Sequence, residues 1–252
     1  MKLLDLFSGI GGFSIAGQWA GFETVHFVEK DKFCQKVLKK NFPTIPIHTD
    51  IKTFNYFDKV NLLTGGFPCQ GFSIAGKRKG IKDDRYLWPE MLRIIKECKP
   101  NWIIAENVSG IVAMELDNIL DDLETEGYES ESFIIPACAA NAPHRRDRLW
   151  IVANSYGKRF NLWSDYWEER QISKNKIWHL AEIQSEWEKL KPESWASMSA
   201  NYWLKNNAYF VRADDGIRAR MDRNRIKALG NAIVPQVVYP MIKLISAIEE
   251  TF

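Results

Sequence analysis

The sequence predicts an α/β fold: a mostly parallel, doubly wound sheet carrying a small separate lobe. Three observations carry that prediction. Apolar runs of strand length alternate with helix-period segments through residues 1–153, as strands joined by helical crossovers do. A strand-like run leads straight into a glycine turn twice, at Ser8-Gly9-Ile10-Gly11-Gly12 and at Gly65-Gly66. From Asn154 the periodicity fades, and six of the ten tryptophans fall between Ser155 and Arg212.

The elements follow in order. Lys2 to Phe7 reads as a first strand, and a helix is expected from about Phe13 to Trp19. A second strand near Thr24 to Val28 ends at Glu29, with a helix near Asp31 to Asn41 after it. A short strand near Pro46 to His48 precedes Asp50, and residues 60–64 read as a buried strand ending in the second glycine turn. A long irregular stretch then reaches about Asp84. Helical spacing returns from Leu87 to Cys98, Trp102 to Ala105 forms a buried strand delivering Glu106, and Leu116 to Glu126 is helical. Strands are expected at Ser132 to Ile135 and Leu149 to Ala153. Past Met221 an apolar period returns, with Pro235 acceptable in a first helical turn and Pro240 expected to bend or restart the helix. The divisions are therefore 1–153, 154–217 and 218–252, the last expected to pack back on the first.

Bulk properties narrow the function classes. A chain of 252 residues with 46% hydrophobic residues can bury a substantial core, and no apolar run approaches membrane-spanning length. The N-terminus lacks a signal-peptide layout. Four cysteines (34, 69, 98 and 138) and four histidines (26, 48, 144 and 179) form no metal-ligand spacing, so a metal-free, cytoplasmic, reduced protein is expected. A net charge of +2 is too small to argue for nucleic acid, but local clusters at Lys77-Arg78-Lys79 with Lys82 and Arg85, at Arg145-Arg146-Arg148, and from Arg212 to Lys227 could meet phosphates or form solvated faces.

Chemistry concentrates at the turns. Cys69 stands on a Pro-Cys step just past a strand's carboxyl end, where open α/β sheets place ligands, among Gly, Pro, Gln and Ser that make poor core. A thiol there is a candidate nucleophile, although free cysteines are usually buried. The first glycine turn makes a cradle for a nucleotide-like ligand, but it lacks the third dinucleotide-binding glycine, which disfavours hydride chemistry. Glu29 suits a ribose diol, or equally caps the helix after it.

Taken together these segments resemble the cytosine-5 DNA methyltransferase family. Asp5 to Phe13 is similar to its first motif, and Gly65 to Ser73 to its nucleophile loop. Glu106-Asn107-Val108 matches the motif holding the target base. His144 with Arg146-Asp147-Arg148 resembles the glutamine-x-arginine-x-arginine motif, and Ala228 to Gln236 the last motif. They occur in the family's order over residues 3–153 and about 212–249.

The resemblance implies a Rossmann-like catalytic domain, a small target-recognition lobe, S-adenosyl-L-methionine as cofactor and duplex DNA as partner. It implies a monomer, to which a cognate restriction endonuclease, where one exists, would be related by function rather than by binding. Cys69 would add to carbon 6 of a flipped-out cytosine so that carbon 5 takes the methyl group. Glu106 would act as an acid at N3, Arg148 would hold the ring carbonyl and Arg146 would brace the loop or the carboxylate. Phe7, Gly9, Ile10, Gly12, Glu29, Asp50, Ile51, Pro68, Leu87, Asn231 and Ala232 would line the cofactor pocket. Gln70 and Ser73 would lie near the flipped nucleotide, with Lys77, Arg78, Lys79 and Arg85 along phosphates. Three features depart from the family's pattern: Lys30 where members often carry an apolar or aromatic residue, His144 in place of the glutamine, and a lobe of only about 60 residues. Rival readings keep the fold and change the role. A transfer-RNA methyltransferase is disfavoured because the lobe lacks a Cys-Phe-Thr triplet. A silent DNA-binding regulator has no need of Cys69, Glu106 and Arg148, and an adenine-N6 enzyme would carry an Asp/Asn-Pro-Pro-aromatic tetrapeptide that is absent.

Overall fold

The computed structural model describes residues 1–68, 86–140, 146–155 and 227–251. Among these residues seven strands form one sheet in the order β3-β2-β1-β4-β5-β7-β6. They are β1 (Lys2–Leu6), β2 (Glu23–Val28), β3 (Ile47–His48), β4 (Leu62–Gly65), β5 (Trp102–Val108), β6 (Tyr128–Pro136) and β7 (Asp147–Ser155). Strands β1 to β5 pair in parallel, whereas β7 runs antiparallel to both its neighbours. The sheet is thus mostly parallel, as expected. Its order reverses between β1 and β4, which makes the carboxyl ends of those two strands the switch point where such sheets bind ligands.

Helices α1 (Gly12–Trp19), α2 (Lys32–Asn41), α3 (Trp88–Cys98), α4 (Val112–Thr125) and α5 (Pro235–Glu249) cover the sheet. Alternation along each strand divides the core by face. Leu3, Leu62, Trp102, Ile104, Trp150 and Val152 face α1 and α5. Leu4, Leu63, Ile103, Ala105 and Ile151 face α3 and α4. Helix α2 closes the α1 side through Leu38 and Phe42 against Phe27. Its start is fixed by Asp31, whose carboxylate accepts from the backbone N–H of Phe33 and Cys34.

Helix α5 packs on α1, with Trp19 and Tyr239 edge to face at 6.1 Å. At its far end Glu249 accepts from Asn61 Nδ2 at 2.7 Å, Asn101 Nδ2 at 2.9 Å and Trp102 Nε1 at 3.1 Å. These bonds tie α5 to the amino ends of β4 and β5, opposite the ligand edge.

Several boundaries differ from the sequence expectation. Strand β5 continues through Glu106 and Asn107 to Val108, because β7 pairs with it as far as Val108 opposite Arg148. Strand β6 starts at Tyr128 rather than Ser132, since β7 offers partners along that whole length. Helix α4 begins at Val112, after a 3-10 turn at Ser109–Ile111, instead of at Leu116. Pro240 neither ends nor restarts α5, which runs unbroken around it. The ring removes one helical hydrogen bond, and the buried face of Val237, Val238, Met241, Ile242 and Ile245 holds the helix across the gap. No helix of the described residues is long and apolar enough to cross a membrane.

Candidate active site

Residues expected in the site collect on the carboxyl edge of the sheet. Strand β1 ends at Leu6, and Phe7 then takes φ 52°, Gly9 φ 55° and Gly11 φ 89°, turning the chain into α1. Glycine is required at Gly11: the conformation is left-handed, and an added Cβ would lie 2.8 Å from the Phe42 ring. Ser8 secures the turn by donating its hydroxyl to the Asp5 carbonyl at 2.6 Å. Glu29, just past β2, accepts from Gly9 N at 2.7 Å and Asp31 N at 2.6 Å, so backbone donors fix its half-buried carboxylate beside the cradle. Burial raises its pKa, and those donors oppose the rise.

The neighbouring segment closes on this cradle. A Cβ on Gly12 would come 2.6 Å from Ile233 Cγ1, so the backbone of α1 and the chain at Ile233 touch only because Gly12 has no side chain. A helical turn at 227–231 precedes this contact, and Lys227 Nζ reaches Asp31 Oδ2 at 3.1 Å. Asn231 is exposed at the end of that turn, and Ala232 is half-buried. Ile10 is half-buried in the cradle loop. Asp50 caps a 3-10 turn through Lys52 N, and Ile51 is buried in the core with Val28 and Phe54. Leu87 starts α3 and packs on the same core. Lys30, where the sequence departs from the family's pattern, is exposed.

Glu106 occupies the other half of the edge. Its register partner on β7 is Trp150, and Arg148 lies diagonally across on the same face. Arg148 Nε meets Glu106 Oε1 at 2.9 Å. Glu106 is 8% exposed, and burial pushes its pKa up to about 7 against the pull of Arg148 and Arg146. Arg146 holds an uncommon φ of 39°, and its Nη1 donates to the Leu229 carbonyl at 3.3 Å, joining β7 to the 227–231 turn. Burial lowers the pKa of Arg146, with Arg148 adding to the effect and Glu106 opposing it. Glu106, Arg146, Arg148, Trp150, Ala232 and Ile233 share one cleft.

Asn107 points to the opposite face and donates to the Phe67 carbonyl at 3.1 Å. That bond anchors the chain immediately before Pro68, the last described residue before Cys69. Gly66 leaves room for Glu106, whose Oε2 would be 3.1 Å from a Cβ there. Cys69, Gln70, Ser73, Lys77, Arg78, Lys79, Arg85 and His144 lie outside the described residues, as do nearly all of residues 154–217, where the sequence leads one to expect a lobe.

Three groups escape a reading of the sequence. Asp5 is fully buried beneath the cradle, and its signal is a lone acid inside an apolar strand. Trp150 brings a buried indole N–H that has no partner among the described residues to the cleft. Lys227 stands out in the sequence only as the end of a basic cluster.

Fold and site together define a doubly wound α/β protein with a nucleotide-type cradle at its switch point and an arginine-braced acid on the same edge. The chain belongs to the C-5 cytosine-specific DNA methylase family, whose sequence model matches residues 1–213. It is 41% identical over 161 residues to the type II methyltransferase M.PspPI of Psychrobacter sp. (strain TA137), covering 60% of this chain and 39% of that one. It is 34% identical over 185 residues to the type II methyltransferase M.AquIA of Picosynechococcus sp., covering 64% of this chain and 75% of that one. The chain thus spans well under half the length of the Psychrobacter relative, at 39%. The S. pombe Dnmt2 methyltransferase shares the fold, with TM-score 0.64, 19% identity and coverage of 97% of this chain and 98% of that one.

Proposed function

We propose that this chain is a DNA (cytosine-5-)-methyltransferase that methylates a cytosine rotated out of duplex DNA. The observation that carries the reading is the Arg148–Glu106 pair at 2.9 Å, with Glu106 held near a pKa of about 7, on the edge that also bears the cradle and the Pro68–Cys69 step. The family draws its methyl group from S-adenosyl-L-methionine, and the cradle fits such a group. Gly9 makes the left-handed turn of the cradle, Gly12 lets Ile233 approach and wall one side, and Glu29 offers a fixed carboxylate to ribose hydroxyls. Phe7, Ile10, Asp50, Ile51, Pro68, Leu87, Asn231 and Ala232 complete the proposed pocket. When bound, S-adenosyl-L-methionine supplies an electrophilic methyl group.

The chain's own residues do the remaining work. The Cys69 thiolate adds to carbon 6 of cytosine, and the electron pair moves toward carbon 5, which becomes nucleophilic. Negative charge on the ring is relieved at N3 by the proton of Glu106, whose buried carboxyl carries one near neutrality. Arg148 faces the ring carbonyl oxygen while holding Glu106, and Arg146 braces the cleft against the 227–231 turn. After methyl transfer a base removes the carbon 5 proton and Cys69 leaves. Residues 154–217 form the target-recognition lobe, 1–153 the catalytic domain, and 218–252 a segment that returns to it. Gln70 and Ser73 face the flipped nucleotide, while Lys77, Arg78, Lys79 and Arg85 follow phosphates. The protein works as a cytoplasmic monomer, and a cognate restriction endonuclease, where one exists, is related to it by function rather than by binding.

The test is transfer of tritiated methyl from S-adenosylmethionine to mixed-sequence duplex DNA and to transfer RNA, followed by base analysis. Label in 5-methylcytosine of DNA is expected. Duplexes carrying 5-fluorocytosine should be trapped covalently, and Cys69→Ser should abolish trapping while retaining cofactor binding. Label confined to transfer RNA, or an adduct on Cys34, Cys98 or Cys138, overturns the reading.

A further inference from the structure

We propose that Asp5 is a positioning residue that locks the helix of the cofactor cradle to strand β4, so that the cradle and the chain leading to Pro68 keep one spacing. The inference rests on the methyltransferase reading and concerns how α1 and β4, which border its site, are kept in register.

The carboxyl of Asp5 has two oxygens, and each holds a different element. Oδ2 accepts from Ser14 Oγ at 2.7 Å, in the first turn of α1 just beyond the glycine turn. Oδ1 accepts from Thr64 Oγ1 at 3.2 Å, on β4 immediately before Gly65-Gly66 and the Pro68–Cys69 step. The Asp5 carbonyl accepts from Ser8 Oγ at 2.6 Å, so the turn is held at its entry as well as at its exit. Asp5 and Thr64 are register partners across the switch point. Asp5, Ser14 and Thr64 are all 0% exposed, so solvent does not compete for these bonds.

A buried carboxyl whose side-chain donors among the described residues are two hydroxyls is an expensive way to fill a core position. An apolar side chain would serve packing alone at lower cost. What the carboxyl adds is a rigid two-acceptor fork, which an aliphatic residue lacks. Burial pushes Asp5 up to about 7, and the Ser14 and Thr64 hydroxyls pull it down, so both bonds strengthen as the group ionises.

The experiment separates the two arms in the full chain. Ser14→Ala, Thr64→Val and Asp5→Asn are compared for S-adenosylmethionine affinity by calorimetry, for melting midpoint, and for the rate of trapping at saturating cofactor. The trap is a duplex pool in which every cytosine is 5-fluorocytosine. Ser14→Ala should weaken cofactor binding about tenfold and leave the saturated trapping rate near wild type, the scale of one buried hydrogen bond. Thr64→Val should slow trapping about tenfold and spare cofactor affinity. Asp5→Asn should move both readouts, and adding Thr64→Val to it should slow trapping no further. Variants that lower the melting midpoint while leaving both readouts at wild-type values overturn the proposal. So does loss of both readouts whichever hydroxyl is removed. If Asp5→Asn fails to fold, the two hydroxyl variants still decide. A wild-type protein that binds cofactor and traps no duplex overturns the methyltransferase reading itself, and the inference with it.

Discussion

Glu106 combines burial with a counter-charge, and the balance sets when it holds a proton. Burial raises its pKa from 4.5 to about 7, with Arg148 and Arg146 limiting the rise. A carboxyl whose folded pKa exceeds its unfolded value stabilises the fold most below the unfolded pKa. That contribution is lost as pH rises through the folded pKa. The window here runs from about 4.5 to about 7. Glu106→Gln imitates the protonated form, so its stability, followed by melting, should gain on the wild type as pH rises from about 5 to about 8, by on the order of 3 kcal/mol at most. Asp5 titrates in the same window and is common to both proteins, so the difference reports Glu106. The same variant should lower methyl transfer about a hundredfold or more with little change in cofactor affinity. A pH-independent difference in melting, or strong loss of cofactor binding with turnover spared at saturation, would place the carboxyl in another role. Glu106 was legible in the sequence as part of Glu-Asn-Val. Its partner distance and its burial were not, because both depend on a strand more than forty residues away.

At the scale of elements, the chain around residues 227–234 joins the two halves of the edge. Lys227 reaches Asp31 beside the cradle, Leu229 receives Arg146 from the cleft, and Ile233 lies against Gly12. Replacing Gly12 by alanine puts a methyl 2.6 Å from Ile233 Cγ1 and 3.2 Å from the Ile233 carbonyl oxygen. The side chain can swing aside, but the carbonyl oxygen belongs to the backbone, so relieving that contact should push the segment off the cradle. Gly12→Ala is expected to weaken S-adenosylmethionine binding by about 1–3 kcal/mol, the usual cost of overpacking, as measured by calorimetry. Cofactor affinity equal to wild type would mean that the segment moves without consequence. The apolar period past Met221 announced α5, but nothing local placed its start against α1. The glycines of the first turn were likewise visible, while Ile233 as the reason for Gly12 was visible only in space.

For the whole molecule, DNA affinity is expected to come from local charge, since the net charge is only +2. Neutralising Lys77, Arg78 and Lys79 should weaken binding to all duplexes alike. It should also flatten the dependence of log affinity on log salt, by roughly one unit for each phosphate that no longer meets a cation. Filter binding over a salt series checks it. Altered preference among sequences, with the slope intact, would place sequence recognition at residues 77–79 and not in the proposed recognition region 154–217.

The sequence by itself determined the α/β class, the order of most elements, the two glycine turns and the residue types gathered beside them. These are local properties: hydrophobic period, turn chemistry and motif spacing act within a few residues of themselves. It left strand direction and register open. Strand β7 is the deciding case, for the run Leu149 to Ala153 reads equally well in either direction. Only antiparallel pairing with β5 and β6 brings the start of β7, and hence Arg146 and Arg148, to the edge that holds Glu106 and the cradle. A parallel β7 would carry both arginines to the opposite edge of the sheet. That choice is made by long-range pairing and by burial of Trp150 against Phe13, which tertiary structure alone supplies.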